Sequence, residues 1–291
     1  MTDTIFYYSN NTTSTSSNVT LTNSSYSIPI GYTLTNVTIG SVVRTIGDVC
    51  FSNAGNNIYL TNIVIPDTVT SLGNGSFMNC NRLTRATLGT GITIIGNSCF
   101  YFTSLTSITI PDSVTILGST CFDGCSALAT CILGTGLITI GEFCFRQTKF
   151  SSIIIPNSVT TIGKNCFASS KLTSLTFNLP NSLTSIGNDI FLSMTTLSSL
   201  TVTYYSSVNF NSLNTTQQNF QTTQLQTPGI TLVYNPNASC FNENTLILCK
   251  NNQQIKIQDL KVGDLVKTYM HGYKKIIHIN TITKANTVIN I

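Results

Sequence analysis

The stretch Leu105-Thr-Ser-Ile108-Thr-Ile110-Pro111-Asp112-Ser-Val114-Thr-Ile116-Leu117-Gly118-Ser-Thr-Cys121-Phe122-Asp-Gly-Cys125-Ser-Ala-Leu128 decides the fold, because its elements recur seven times between Val37 and Ser199. Each copy closes on an Ile/Leu-Gly pair followed four residues later by Phe. The glycines are Gly47, Gly73, Gly96, Gly118, Gly141, Gly163 and Gly187, and the phenylalanines are Phe51, Phe77, Phe100, Phe122, Phe145, Phe167 and Phe191. Within the unit the apolar residues first step by two, which is strand spacing, and then by turn spacing. Pro111 has no amide hydrogen and ends the first extended piece, Val114 and Ile116 begin a second, and Gly118 is expected to supply backbone freedom for the corner. A unit of roughly 23 residues buries its apolar face only against neighbours, so the copies must stack as a solenoid.

Leu105, Ile108 and Ile110 follow the L-x-x-L-x-L spacing of leucine-rich repeats, in which the first strand of every coil pairs in parallel with the next. The expected fold is therefore mostly β: a leucine-rich-repeat solenoid of about seven coils with short parallel strands, then a small β-rich tail module. A finer period is also visible. Coils with Ile-Pro (Pro66, Pro111, Pro156) alternate with Leu-Gly-Thr-Gly coils (Gly89-Thr90-Gly91 and Gly134-Thr135-Gly136), so a coil pair is the expected unit of duplication. Ile110 to Cys125 resembles the I-P-x-S-V-T-x-I-G-x-x-A-F-x-x-C pattern of BspA-like leucine-rich repeats, with Cys121 where that family usually has Ala. The resemblance spans roughly residues 37 to 205. It implies a rigid, slightly curved scaffold of a kind found in proteins that meet other proteins or cell surfaces, and it implies no chemistry.

The division this predicts is a polar arm and N-terminal cap (1–36), the solenoid (37–205), a C-terminal cap and linker (206–239) and the tail module (240–291). Residues 10 to 25 read as a mobile polar arm, Leu200 to Tyr205 as a closing strand, and Ile230 to Tyr234 as a strand suited to covering the open edge of the stack.

Only 8% of the residues are charged, and Ser, Thr and Asn fill the surface instead. Residues 1–239 hold seven basic and seven acidic side chains, so the whole net charge of +4 lies in the tail, where seven lysines face three acids. A neutral solenoid gives no footprint for nucleic acid. No basic n-region with an apolar run opens the chain and no stretch of 18 apolar residues occurs, so neither a membrane span nor secretion is expected, and synthesis is expected inside the cell, with the virion as one final location. Cys50, Cys99, Cys121, Cys144 and Cys166 each directly precede the repeated Phe and form a ladder. Ser76 and Ile190 hold the same position, so the slot wants a small to medium, mostly apolar side chain; the coil spacing of about 4.8 Å leaves disulfides as the alternative reading. No metal site or cofactor is expected, since no histidine precedes His271.

From Ser239 the periodicity stops. Cys240-Phe241, Asn244-Thr245 and Ile257-Gln-Asp259-Leu260-Lys-Val262-Gly263-Asp264-Leu265-Val266 resemble the opening of a Hint (hedgehog/intein) domain. That resemblance implies Cys240 as a nucleophile attacking the carbonyl of Ser239, with a shift of the peptide bond to a thioester. A complete Hint domain is much longer than this segment. Its T-x-x-H histidine and terminal His-Asn pair have no counterparts here, since Thr268-Tyr269-Met270-His271 follows the Gly-Asp strand too closely. Repeat-plus-Hint combinations resemble proteins of large DNA viruses and amoeboid protists.

On the first strand of each coil, the residue between the two inward positions is Val64, Thr87, Thr109, Ile132, Ile154 and Thr176, flanked by Asn62, Arg85, Ser107, Thr130, Ser152 and Ser174. Ile132 and Ile154 form an apolar spot in a hydroxyl-rich surface, and with Thr109 and Arg85 they are the candidate contacts for a protein partner. β-branched residues also suit any exposed strand, so the spot has a purely structural reading as well. The function expected is a non-catalytic interaction scaffold; the alternatives are self-processing at Ser239-Cys240 and a structural shell or fibre component.

Overall fold

The computed structural model describes residues 2–53, 58–176, 185–187 and 189–194 in full, and the backbone of 177–178 and of the strands named below beyond them. Each coil contributes two short strands, and the two sets form separate parallel ladders. The second ladder is continuous over eight strands, from Thr20–Leu21 through Thr45–Ile46, Ser71–Leu72, Ile94–Ile95, Ile116–Leu117, Thr139–Ile140 and Thr161–Ile162 to Ser185–Ile186. The first runs as two blocks of four strands. One holds Asn62–Val64, Arg85–Thr87, Ser107–Thr109 and Thr130–Ile132; the other holds Ser152–Ile155, Ser174–Asn178, Thr201–Tyr205 and Thr231–Tyr234. Mostly β, parallel and repeated about seven times, this is the solenoid expected of the sequence.

Between the ladders lies one core of stacked columns. Phe51, Phe77, Phe100, Phe122, Phe145 and Phe167 are all fully buried, with successive ring centroids 5.3 to 5.9 Å apart and nearly parallel planes through the middle of the stack. Offset stacking of this kind adds to the burial of each ring. Tyr26 extends the column at its N-terminal end, 5.7 Å from Phe51, and its hydroxyl donates to the Cys50 carbonyl at 2.6 Å.

The glycine column does a different job from the one expected. Gly118 is not in the left-handed region; a Cβ there would collide with the backbone of Asn97 and Gly96, and at Gly73 it would lie 2.5 Å from the Asp48 nitrogen. Glycine is required because successive coils touch backbone to backbone at this corner. The left-handed residues fall two and six positions later, at Ser98 and Phe102, Thr120 and Gly124, or Asn165 and Ser169. They turn alternate amides toward the next coil, so that Ser98, Phe100 and Phe102 donate to the carbonyls of Ser119, Cys121 and Asp123 at 2.8 to 3.0 Å.

The N-terminal segment is more structured than an arm. Thr4–Tyr8 pairs antiparallel with Thr13–Ser16 and with Leu34–Thr38, and Thr20–Leu21 is already the first rung of the second ladder. Buried Phe6, Tyr8 and Leu21 anchor residues that composition alone marks as solvated. At the other end Thr231–Tyr234 pairs in parallel with Thr201–Tyr205, Thr201 opposite Thr231, and so covers that strand's edge as its sequence suggests. Beyond this the pairing sense changes: Leu246–Leu248 with Gln254–Lys256, Leu265–Thr268 with Gly272–Lys275 and His278–Ile282 with Asn286–Asn290 are antiparallel.

The coil pair is also a physical unit. Within the first two pairs the first-ladder strands match over three residues, Asn62–Val64 on Arg85–Thr87 and Ser107–Thr109 on Thr130–Ile132. Between those pairs the match shrinks to Ser107 with Arg85 alone, and between Thr130–Ile132 and Ser152–Ile155 the ladder divides. The loops explain the closeness within a pair. The Asp67 carboxylate accepts the Thr90 amide at 2.7 Å, and Asp112 accepts both the amide and the hydroxyl of Thr135 at 2.7 and 3.0 Å. Each Gly-Thr-Gly loop thus lies on the Pro-Asp loop of its partner coil; a Cβ on Gly89 would stand 2.5 Å from the Pro66 carbonyl.

Candidate interaction face

The first-ladder strands alternate sides as a two-residue period demands, with Ile108, Cys131 and Ile153 buried beneath and the residues beside them exposed. Ile132 is 57% exposed and Ile154 68%, with Val64 at 58% farther along the same column. Thr109 and Arg85 are exposed on the same face, Thr109 next to Ile132 in register and Arg85 opposite Ser107 in the flanking column. All four residues picked from the sequence as partner contacts therefore share one surface. Ser239 and Cys240, the pair picked for chemistry, lie outside the described residues.

The sequence did not single out what surrounds the two isoleucines. They stand on either side of the division in the first ladder. Phe150 occupies the core position that Leu105, Leu128 and Leu172 hold in other coils, and its ring packs edge-on to Phe145 at 5.6 Å and 75°. Beside Ile154 a shallow groove of about 300 Å³ opens between the Thr135 loop and Ile155-Pro156-Asn157, with Thr176 on its far side. Charge is sorted around the coil as well. Arg82, Arg85, Lys149 and Lys171 are exposed along the turns and strand starts that border this face. In those turns Asp123 is fully buried and held by a two-pronged pair with Arg146 at 2.9 and 2.7 Å, whereas at the other edge of the face, where the strands end, Asp67 and Asp112 are exposed and Asp112 accepts hydrogen bonds from Thr135 of the groove wall. A net count of charge hides this arrangement; the alignment of the repeats, column by column, was the signal that would have exposed it.

The buried cysteines offer no nucleophile. All eight among the described residues are free thiols in the core, and burial pushes Cys99 up to about 12 and Cys125 up to about 11. A thiol so far above neutrality is protonated and unreactive. Cys80 and Cys125 are tied further, donating to the carbonyls of Phe51 and Phe100 at 2.9 and 3.1 Å. Among the described residues no group of three His, Cys, Asp or Glu side chains is placed to hold a metal, and no helix is long and apolar enough to cross a membrane.

The sequence matches the BspA type leucine rich repeat region in six copies, over residues 1–129, 53–174 and 139–290. The chain belongs to the BspA-type leucine-rich-repeat family. The last block of the match runs through the segment that resembles a Hint opening. Among curated proteins nothing matches. The solved structures it resembles include a leucine rich cell surface protein from Faecalibacterium prausnitzii A2-165, at 22% identity over 70% of this chain and 75% of that one, TM-score 0.36. A leucine-rich repeat protein from Bacteroides ovatus ATCC 8483 shares 19% over 84% and 80%, TM-score 0.26. The T. pallidum Leucine Rich Repeat protein shares 17% over 78% and 96%, TM-score 0.34.

Proposed function

We propose that this BspA-type solenoid is a non-catalytic scaffold that binds a protein partner through the outer face of its first ladder, with Ile132, Ile154, Thr109 and Arg85 among the contacts. One observation carries the reading. Ile132 and Ile154 hold most of their surface in water on a rigid strand face, at neighbouring rungs, where Ser or Thr would serve the fold equally well. Rigid strands lose little entropy on docking, which favours burial of such residues by a partner. The experiment places a photo-crosslinking amino acid at Thr109, identifies the captured protein, and measures its affinity for wild type and for Ile132→Asp with Ile154→Asp. Weaker binding by a chain that melts normally supports the reading, and an unchanged affinity overturns it.

A second reading rests on the switch from parallel to antiparallel pairing beyond Thr231–Tyr234, which favours a separate module after the linker. In that reading the module is Hint-like: the Cys240 thiol attacks the Ser239 carbonyl, the Ser239–Cys240 amide bond breaks to leave a thioester and the free Cys240 amine, which takes up the thiol proton, and water or an added thiol then cleaves the thioester to release the solenoid. Intact-mass spectrometry tests it: a species ending at Ser239, or a thioester trapped there by an added thiol, supports self-processing, and an intact chain after prolonged incubation with thiol counts against it.

A further inference from the structure

We propose that the open edge of the N-terminal strand Thr13–Ser16 is a homodimerisation site, at which it pairs antiparallel with the same strand of a second copy of this chain. The strand is the outermost of the sheet that opens the first ladder. It pairs on one side only, with Thr4–Tyr8, which pairs in turn with Leu34–Thr38; Leu34 bridges in parallel to Ile58, and the Tyr59 amide donates to the Leu34 carbonyl at 2.8 Å. The register decides which backbone groups are left over. The Tyr8 amide donates to the Thr12 carbonyl and the Ser9 amide to the Thr33 carbonyl, both at 3.0 Å, so even-numbered residues of Thr4–Tyr8 turn their backbone groups toward Thr13–Ser16 and odd-numbered ones toward Leu34–Thr38. Ser14 and Ser16, opposite Phe6 and Thr4, therefore bond inward. The amides and carbonyls of Thr13 and Thr15 point out of the sheet, with no partner among the described residues.

The edge carries none of the devices that keep strands apart: no Lys, Pro or bulge interrupts Thr13–Ser16, and Thr13 and Thr15 are exposed. Two features select the chain itself over a foreign strand. The first is self-complementarity. With Ser14 on a twofold axis, Thr13 faces Thr15 of the second copy and Thr15 faces its Thr13, and both are hydrogen-bonded pairs; all four outward groups of each copy are then satisfied, in four bonds, with none left over. The second is charge. Asp3 is the one charged side chain before Arg44, so the contact brings no lysines or clustered carboxylates together. Half-buried Ile5 and Tyr7 stand opposite Thr15 and Thr13 within the sheet, so the Thr pairs across the axis gain an apolar flank on each side. Two three-stranded sheets fuse into one of six strands, and both open edges disappear. The contact is small, which makes the dimer a weak, concentration-dependent one, and it uses none of the residues of the partner-binding face.

Sedimentation velocity of the full chain, run from dilute to concentrated solution at low salt, is expected to show a monomer giving way to a dimer and to nothing larger, because a twofold contact closes on itself. Thr15→Pro removes the N–H that each copy points across the axis and spares the pairing with Thr4–Tyr8, so it is expected to weaken dimerisation by about tenfold or more while the melting temperature stays unchanged. Thr13→Lys with Thr15→Lys sets like charges directly opposite one another and is expected to leave a monomer, as are the two corresponding Glu substitutions; an equimolar mixture of the Lys and Glu variants restores the dimer. Should Thr15→Pro lower the melting temperature, the Lys and Glu variants decide, since they alter only exposed side chains. A chain monomeric at every concentration overturns the proposal, and so does a dimer indifferent to both kinds of variant. Open-ended oligomers, or folded Lys and Glu variants that fail to pair with each other, overturn it as well.

Discussion

The corner that runs from each glycine to its phenylalanine and the outer face of the first ladder belong to the same coils, yet they obey opposite rules. At the corner, the glycine and phenylalanine columns hold one residue type through seven copies, because every position is set by the coil before and the coil after. On the face, one column runs Val64, Thr87, Thr109, Ile132, Ile154 and Thr176, and no neighbour dictates the choice. In a molecule whose stability is a sum of coil-to-coil contacts, freedom from the repeat is where function has room to reside.

The comparison breaks first at Phe122. Its ring is fully buried between Phe100 and Phe145, so Phe122→Ala is expected to cost about 3–5 kcal/mol in urea unfolding. A chain that melts like wild type would mean that the column does not hold the coils together. Gly118→Ala comes next, at about 3 kcal/mol, since the added methyl meets backbone that cannot step aside. If backbone freedom were the glycine's purpose, alanine at this ordinary φ would instead be almost harmless, so the measurement separates the two roles. Cys121→Ala removes far less volume from an equally buried place and is expected to cost about 1 kcal/mol.

The loops lie between the two regimes, and Asp112 tests them through pH. The hydrogen bonds from the Thr135 amide and hydroxyl hold its carboxyl below the usual carboxylate range, although the group is open to solvent. A pKa depressed by folding means that the contribution is fully present above the unfolded value of about 3.9 and is lost as pH falls through the lowered folded value. Asp112→Asn should therefore flatten the acid limb of the stability profile in that window. An acid limb identical to that of wild type would show that the tie within the coil pair adds nothing.

The repeat was legible because Gly and Phe recur at a fixed offset, and spacing of that kind records contacts between coils. The coil pair was legible for the same reason, in the alternation of Pro66, Pro111 and Pro156 with the Gly-Thr-Gly loops. Three features were not. The purpose of Gly118 was misassigned because composition cannot distinguish a glycine needed for its φ from one needed for its missing Cβ. Residues 10–25 read as a mobile arm because they are a polar, largely exposed run, whose pairing through Thr13–Ser16 and Thr20–Leu21 is anchored by buried Leu21 alone within it. The division of the first ladder escaped notice because it arises from pairing that two adjacent strands fail to make.

The smallest expected effect on folding belongs to the largest expected effect on binding. Ile132→Asp with Ile154→Asp places two carboxylates on side chains already exposed to water, at sites where other coils carry Thr, so no core contact is lost and no buried charge is created. The stability change should stay within about 0.5 kcal/mol. One effect opposes this: β-branched residues favour strands, and two Asp residues remove that preference at neighbouring rungs, which the unbroken second ladder beneath should absorb. A loss of several kcal/mol would instead show that the isoleucines hold the two blocks of the first ladder together. The face would then be part of the corner's rule rather than an exception to it, and the reason for assigning it to a partner would disappear.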